Sequence, residues 1–117
     1  MVDQAPNFVA FGVYIKGEEP GTLRAEWVRS DWVSSEPEKG IICLGTGTGD
    51  PTDGFAGGYS FIYTDEQGNP GEPFKVTIRT AGDAYQLKWE RNGQEPYIGV
   101  GMELDGKLVF GWMPNHP

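Results

Sequence analysis

Eighteen glycines and nine prolines punctuate this 117-residue chain, too densely for long helices to form between them. Relative to alanine, a helix interior loses about 1 kcal/mol at each glycine and about 3 kcal/mol at each proline. No three-residue period accompanies them, which excludes collagen. Thr22–Val33 lies in the longest stretch free of both residues and is the only serious helix candidate. Wound at the helical period, its Leu23, Ala25, Trp27, Val28, Trp32 and Val33 scatter around the axis instead of forming one stripe. Leu23, Ala25 and Trp27 do alternate, so the segment is expected to be a strand. About half the residues are apolar or glycine, the usual globular share, and the length suits one domain spanning residues 1–117.

Alternation at a period of two governs the second half of the chain. Phe74–Arg79 and Tyr85–Glu90 each place apolar and polar residues in turn, the pattern of half-buried antiparallel strands. Thr80-Ala81-Gly82-Asp83 supplies a turn between them. Asn92-Gly93 and Asp105-Gly106 suit two-residue hairpin turns, because both positions of such a turn take positive φ. Tyr97–Leu104 and Lys107–Met113 complete a four-strand meander. In the first half, Phe8–Ile15 reads as a strand ending at Lys16–Gly21, Ser34–Gly40 as a turn, and Gly40–Leu44 and Tyr59–Thr64 as two more strands. Gly45–Gly58, with its alternating glycines, reads as a flexible loop at a barrel mouth, and Asp65–Pro73 as a plain loop.

Eight strands without a covering helix must close or fold over, since an open face of this apolarity would aggregate. The expectation is an all-β, eight-stranded antiparallel up-and-down barrel, with a two-sheet β-sandwich as the alternative. The tail carries a further pointer. Trp89, Gly93, Tyr97-Ile98-Gly99-Val100-Gly101-Met102 and Asp105-Gly106-Lys107-Leu108-Val109-Phe110-Gly111-Trp112 resemble the closing strands of small bacterial β-barrels of the lipocalin-like (calycin) kind. True lipocalins carry Gly-x-Trp on the front strand, where this chain has Gly12-Val13-Tyr14. The resemblance implies a barrel with an internal ligand pocket and names no ligand.

Nine basic against seventeen acidic side chains give a net charge of −8, a field that repels polyphosphate and makes nucleic acid and anionic membrane poor partners. Cys43 is the only cysteine, so an intrachain disulfide and a cysteine-based zinc site are both excluded. A reducing, cytoplasmic setting is expected, as Met1–Pro6 shows no basic segment leading into an apolar one. No cofactor or metal is expected either. Asp50, Thr52 and Asp53 fall short of a calcium loop, and the glycine spacing of Gly45–Gly58 matches no phosphate-binding motif.

Fifteen aromatic residues (four Trp, five Tyr, six Phe) are a high load, and they concentrate on strands at alternate positions. Tyr59, Phe61, Tyr63, Tyr85, Trp89, Phe110 and Trp112 are the candidate ligand-binding set, able either to line an apolar cavity or simply to fill an eight-stranded bore. Phe8–Ile15 and Tyr97–Met113 are apolar on both faces, so one face needs cover from loops or from another subunit, and a homo-oligomer is expected through one of these segments. Gly12, Gly99, Gly101 and Gly111 leave smooth patches on which a neighbouring strand or ring can lie. A catalytic constellation is missing: the only histidine is His116, and Cys43 sits in an apolar run. The sequence thus points to non-catalytic binding of a small apolar or aromatic molecule in the barrel interior. The alternative is a structural or regulatory module acting as a homo-oligomer, and a small carboxylate-and-tyrosine enzyme ranks third.

Overall fold

A computed structural model describes residues 8–30 and 42–115 of the chain. The expected Ser34–Gly40 turn, with Trp32 and Val33, lies outside them. Eight strands run in sequence order: β1 (Ala10–Lys16), β2 (Thr22–Arg29), β3 (Cys43–Asp53), β4 (Ala56–Tyr63), β5 (Phe74–Ala81), β6 (Ala84–Arg91), β7 (Gln94–Leu104) and β8 (Lys107–Pro114). Each pairs antiparallel with its neighbour, and β8 pairs with β1 to close the barrel. The fold is all-β and up-and-down, which removes every free edge and excludes the sandwich.

Turn chemistry places the hairpins. Asn92 and Gly93 have φ of 54° and 75°, and Asp105 and Gly106 have 53° and 77°, the left-handed values that a two-residue type I′ turn requires at both positions. Tight turns at Gly17–Gly21, Gly54-Phe55, Gly82-Asp83 and Asp105-Gly106 gather at one end of the barrel. The opposite end receives the β2–β3 and β4–β5 connections and the Asn92-Gly93 turn. The β4–β5 connection is shaped by Asp65, whose Oδ1 accepts hydrogen bonds from the Asn69 and Gln67 amides, both at 2.9 Å. These amides hold its carboxyl below the usual range.

Gly45–Gly58 is not a loop. Apart from Gly54 in the β3–β4 turn, its glycines lie on β3 and the start of β4, paired into the sheet. The reason is steric. Gly45, Gly47 and Gly49 face inward opposite Tyr63, Phe61 and Tyr59 of β4. A methyl carbon placed on Gly47 would sit 2.5 Å from the Phe61 ring, and one on Gly45 would sit 2.7 Å from Tyr63. The absence of side chains on one strand makes room for the rings of the next. The same device recurs where the Phe110 ring lies over Gly12 and the Trp89 ring over Gly99, while Gly101 faces the Phe110 Cβ and Leu108. Those glycines therefore face the barrel's own aromatics, whereas Gly111 alternates to the outer side.

Alternation then divides inside from outside on every strand. Tyr14, Leu23, Ala25, Phe61, Val76, Ile78, Leu87 and Leu108 are buried in the bore. On the outside, β5 and β6 present Lys75 opposite Glu90, Thr77 opposite Lys88 and Arg79 opposite Gln86.

Candidate functional site

The middle of the bore is filled, an aromatic-lined cavity opens at the end opposite the tight turns, and a hollow of about 280 Å3 lies at the turn end beside the Gly17–Gly21 turn, with Leu23 and Tyr59 in its wall. At the turn end, Phe55 is buried beneath the rim, the Tyr59 hydroxyl donates to its carbonyl at 2.9 Å, and the Lys16 ammonium stands 4.9 Å from its ring. Above it the Tyr14 ring stacks on Phe61 at 4.6 Å and meets Phe110 at 4.4 Å. Packing of this kind leaves no room for a ligand in the middle of the barrel.

At the other end, Trp27, Tyr63, Phe74, Trp89, Tyr97, Phe110 and Trp112 surround a cavity of about 110 Å3, joined on its rim by Arg29. The walls stand in mutual contact, largely edge to face: Trp27 on Tyr63 at 6.1 Å, Phe74 on Tyr97 at 5.8 Å, Tyr97 on Trp112 at 5.0 Å. Such pairs are the favoured aromatic geometry and hold each ring in place. Phe8, just before β1, packs edge-on against Trp112 and carries the Arg29 guanidinium 3.8 Å from its ring centroid. Arg91 lies over Phe74 at 3.7 Å and donates to the Glu72 carbonyl. In a chain of charge −8, the cavity wall carries an arginine and, among the described residues, no carboxylate.

Tyr63, Trp89 and Tyr14 join their polar atoms in one chain at the inner end of the site. The Tyr63 Oη accepts a hydrogen bond from Trp89 Nε1 at 2.9 Å and shares another with Tyr14 Oη at 2.6 Å. Burial pushes both phenols well above the ordinary tyrosine range, although for Tyr63 the hydrogen bonds from Tyr14 and Trp89 pull the other way. Both hydroxyls therefore keep their hydrogens at neutral pH and serve as hydrogen-bonding groups, not as bases.

Of the seven residues singled out from the sequence, Tyr63, Trp89, Phe110 and Trp112 meet at the cavity. Phe61 belongs to the packed middle, Tyr59 to the plugged end, and Tyr85 to the turn-end rim, where its hydroxyl donates to Glu103 at 2.7 Å. Trp27, Arg29, Phe74 and Tyr97 were missing from that set. Their inward parity was readable, since Trp27 alternates with Ala25 and Phe74 with Val76, but which end of the bore stays open depends on ring orientation. Cys43 is buried, and burial raises its thiol above the ordinary range, which makes it a poor nucleophile. Among the described residues no group of three His, Cys, Asp or Glu side chains is placed to hold a metal ion. No family model, no curated protein and no solved structure matches this chain.

Proposed function

We propose that this protein binds a small, largely apolar or aromatic molecule at the open, aromatic end of its barrel and holds it without chemistry. The observation that carries the reading is the cavity that seven aromatic side chains wall among the described residues, in a fold whose middle is packed. An apolar enclosure with few polar groups is the usual form of a small-molecule site, and an engineered apolar cavity of about 150 Å3 is enough for benzene. The same proposal takes the barrel as lipocalin-like, supported by its eight-strand up-and-down closure and by the Trp89–Trp112 strands. The test is a titration with toluene followed by tryptophan emission, because Trp27, Trp89 and Trp112 stand in the wall. A saturable shift that disappears in Phe74→Trp, which enlarges a wall residue into the cavity, is the expected result. A response that rises linearly without saturating overturns the reading.

A second reading, compatible with the first, is self-association. Both segments expected to meet a partner lie side by side, because β1 pairs with β8 and β8 with β7. Their outer residues form rows: Phe11 beside Gly111 beside Val100, and Val13 beside Val109 beside Met102. Val9, Phe11, Val100, Met102 and Met113 are all 46 to 68 % exposed. A contiguous, uncharged apolar patch of this kind marks a protein-interaction surface. A bilayer-spanning barrel needs an apolar band around its whole circumference, whereas Lys75, Arg79, Lys88 and Glu90 interrupt this one. A second copy is therefore the occupant proposed. Light scattering should give twice the 12.8 kDa chain mass, with Phe11→Glu returning the monomer. A wild-type monomer at all concentrations removes this reading.

A further inference from the structure

The hydrogen-bond chain at the inner end of the cavity contains three donors, the Trp89 N–H and the Tyr14 and Tyr63 O–H groups, and two of them are consumed by bonds within the chain. Trp89 donates to Tyr63, since an indole nitrogen can only donate. The bond between the two phenols can run either way. If Tyr63 donated to Tyr14, the Tyr14 hydrogen would need an acceptor elsewhere. Tyr14 is wholly buried between the rings of Phe61 and Phe110; the Trp89 N–H also approaches its oxygen but can only donate, so the Tyr63 oxygen is the one acceptor shown for the Tyr14 hydrogen among the described residues. A buried donor without an acceptor is strongly disfavoured. The opposite direction leaves no such orphan. Tyr14 then donates to Tyr63, whose oxygen accepts twice, and the remaining hydrogen belongs to Tyr63, the phenol that lines the cavity.

Resting on the binding reading above, we infer that the cavity selects flat aromatic molecules bearing a hydrogen-bond acceptor of carbonyl type, which the Tyr63 O–H engages. The electrostatics agree, for Arg29 is on the wall and, among the described residues, no carboxylate lines it to repel an electron-rich group. Tyr14 spends its own hydrogen on Tyr63 and so leaves the Tyr63 hydrogen as the one still to be donated.

Acetophenone and α-methylstyrene test this, since the two probes share a planar shape and differ in C=O against C=CH2. Affinities are measured by tryptophan emission for the wild type, Tyr63→Phe and Tyr14→Phe, with folding checked by circular dichroism. Tyr63→Phe should weaken acetophenone about five- to tenfold and leave α-methylstyrene unchanged. Tyr14→Phe should keep the preference, because Tyr63 still holds a hydrogen to donate. Equal changes for both probes in Tyr63→Phe, or none, overturn the inference while leaving the binding reading intact. Binding of neither probe to the wild type overturns the binding reading itself. Should Tyr63→Phe fail to fold, the wild type decides alone. Once corrected for partition from water into alkane, its affinity must favour acetophenone, and equal affinities overturn the inference.

Discussion

In the middle of the barrel Tyr14 and Phe61 lie 20° from parallel and Phe61 and Tyr63 lie 7° from parallel, whereas at the mouth Trp27 and Tyr63 meet at 80° and Tyr97 and Trp112 at 77°. The side chains are of the same kind in both regions. Stacked rings lying across inward glycines fill the bore like a column of plates. Rings standing edge to face prop one another apart and keep a space between them. Aromatic content alone thus does not distinguish a core from a binding site. What distinguishes them is the angle at which the rings meet, near parallel for Phe61 and Tyr63 and near perpendicular for Tyr97 and Trp112.

The largest effect is expected from Phe61→Ala. It empties the stacked column and should cost about 3 to 5 kcal/mol in denaturant unfolding. A loss under about 1 kcal/mol would mean that the middle is no better packed than the mouth. Next comes Leu87→Phe. With Leu87 fully buried and no space beside it, overpacking should destabilise by about 1 to 3 kcal/mol, and a neutral outcome would reveal room that the packing denies. A third experiment sharpens the comparison through pH. The folded values of Tyr14 and Tyr63 are raised above the unfolded value of about 10. Their contribution to stability is therefore complete below about pH 10 and is lost as pH climbs through the folded values. Phenolate absorbance of the folded protein at about pH 11 should account for fewer than its five tyrosines, with the remainder appearing on unfolding. Full ionisation before unfolding would show these hydroxyls to be solvated. The smallest effect belongs to Tyr97→Phe at the mouth, where stability should change by less than about 0.5 kcal/mol.

Much of the architecture was legible in the residues themselves. Period-two alternation in Phe74–Arg79 and Tyr85–Glu90, together with Asn92-Gly93 and Asp105-Gly106, located four strands and two turns, because hairpin chemistry is local. The β3–β4 hairpin was not legible, because glycine carries a low strand propensity and marks loops far more often than strands. A signal was nevertheless present: glycines at 45, 47 and 49 mirror aromatics at 63, 61 and 59, a pairing that makes sense only across a hairpin. The candidate site was legible as a set of inward-facing aromatics. Its position at one end was not, since that follows from ring angles and from the plugging of the opposite end by Phe55, both set by tertiary packing.

The closure of β8 onto β1 also shapes how the chain reaches this structure. Every other pairing in the barrel joins consecutive strands, and most of those form hairpins whose ends are near in sequence and can zip within microseconds. The seam instead joins Ala10 to Trp112 and Tyr14 to Leu108, nearly the whole chain apart, so its loop-closure entropy is the largest of any contact. Until it forms, β1 and β8 are open edges flanked by the apolar outer residues Phe11, Val13 and Val109. Zipping of this single seam is therefore expected to be the slow event of folding, with the interval before it the one in which open edges expose the chain to aggregation.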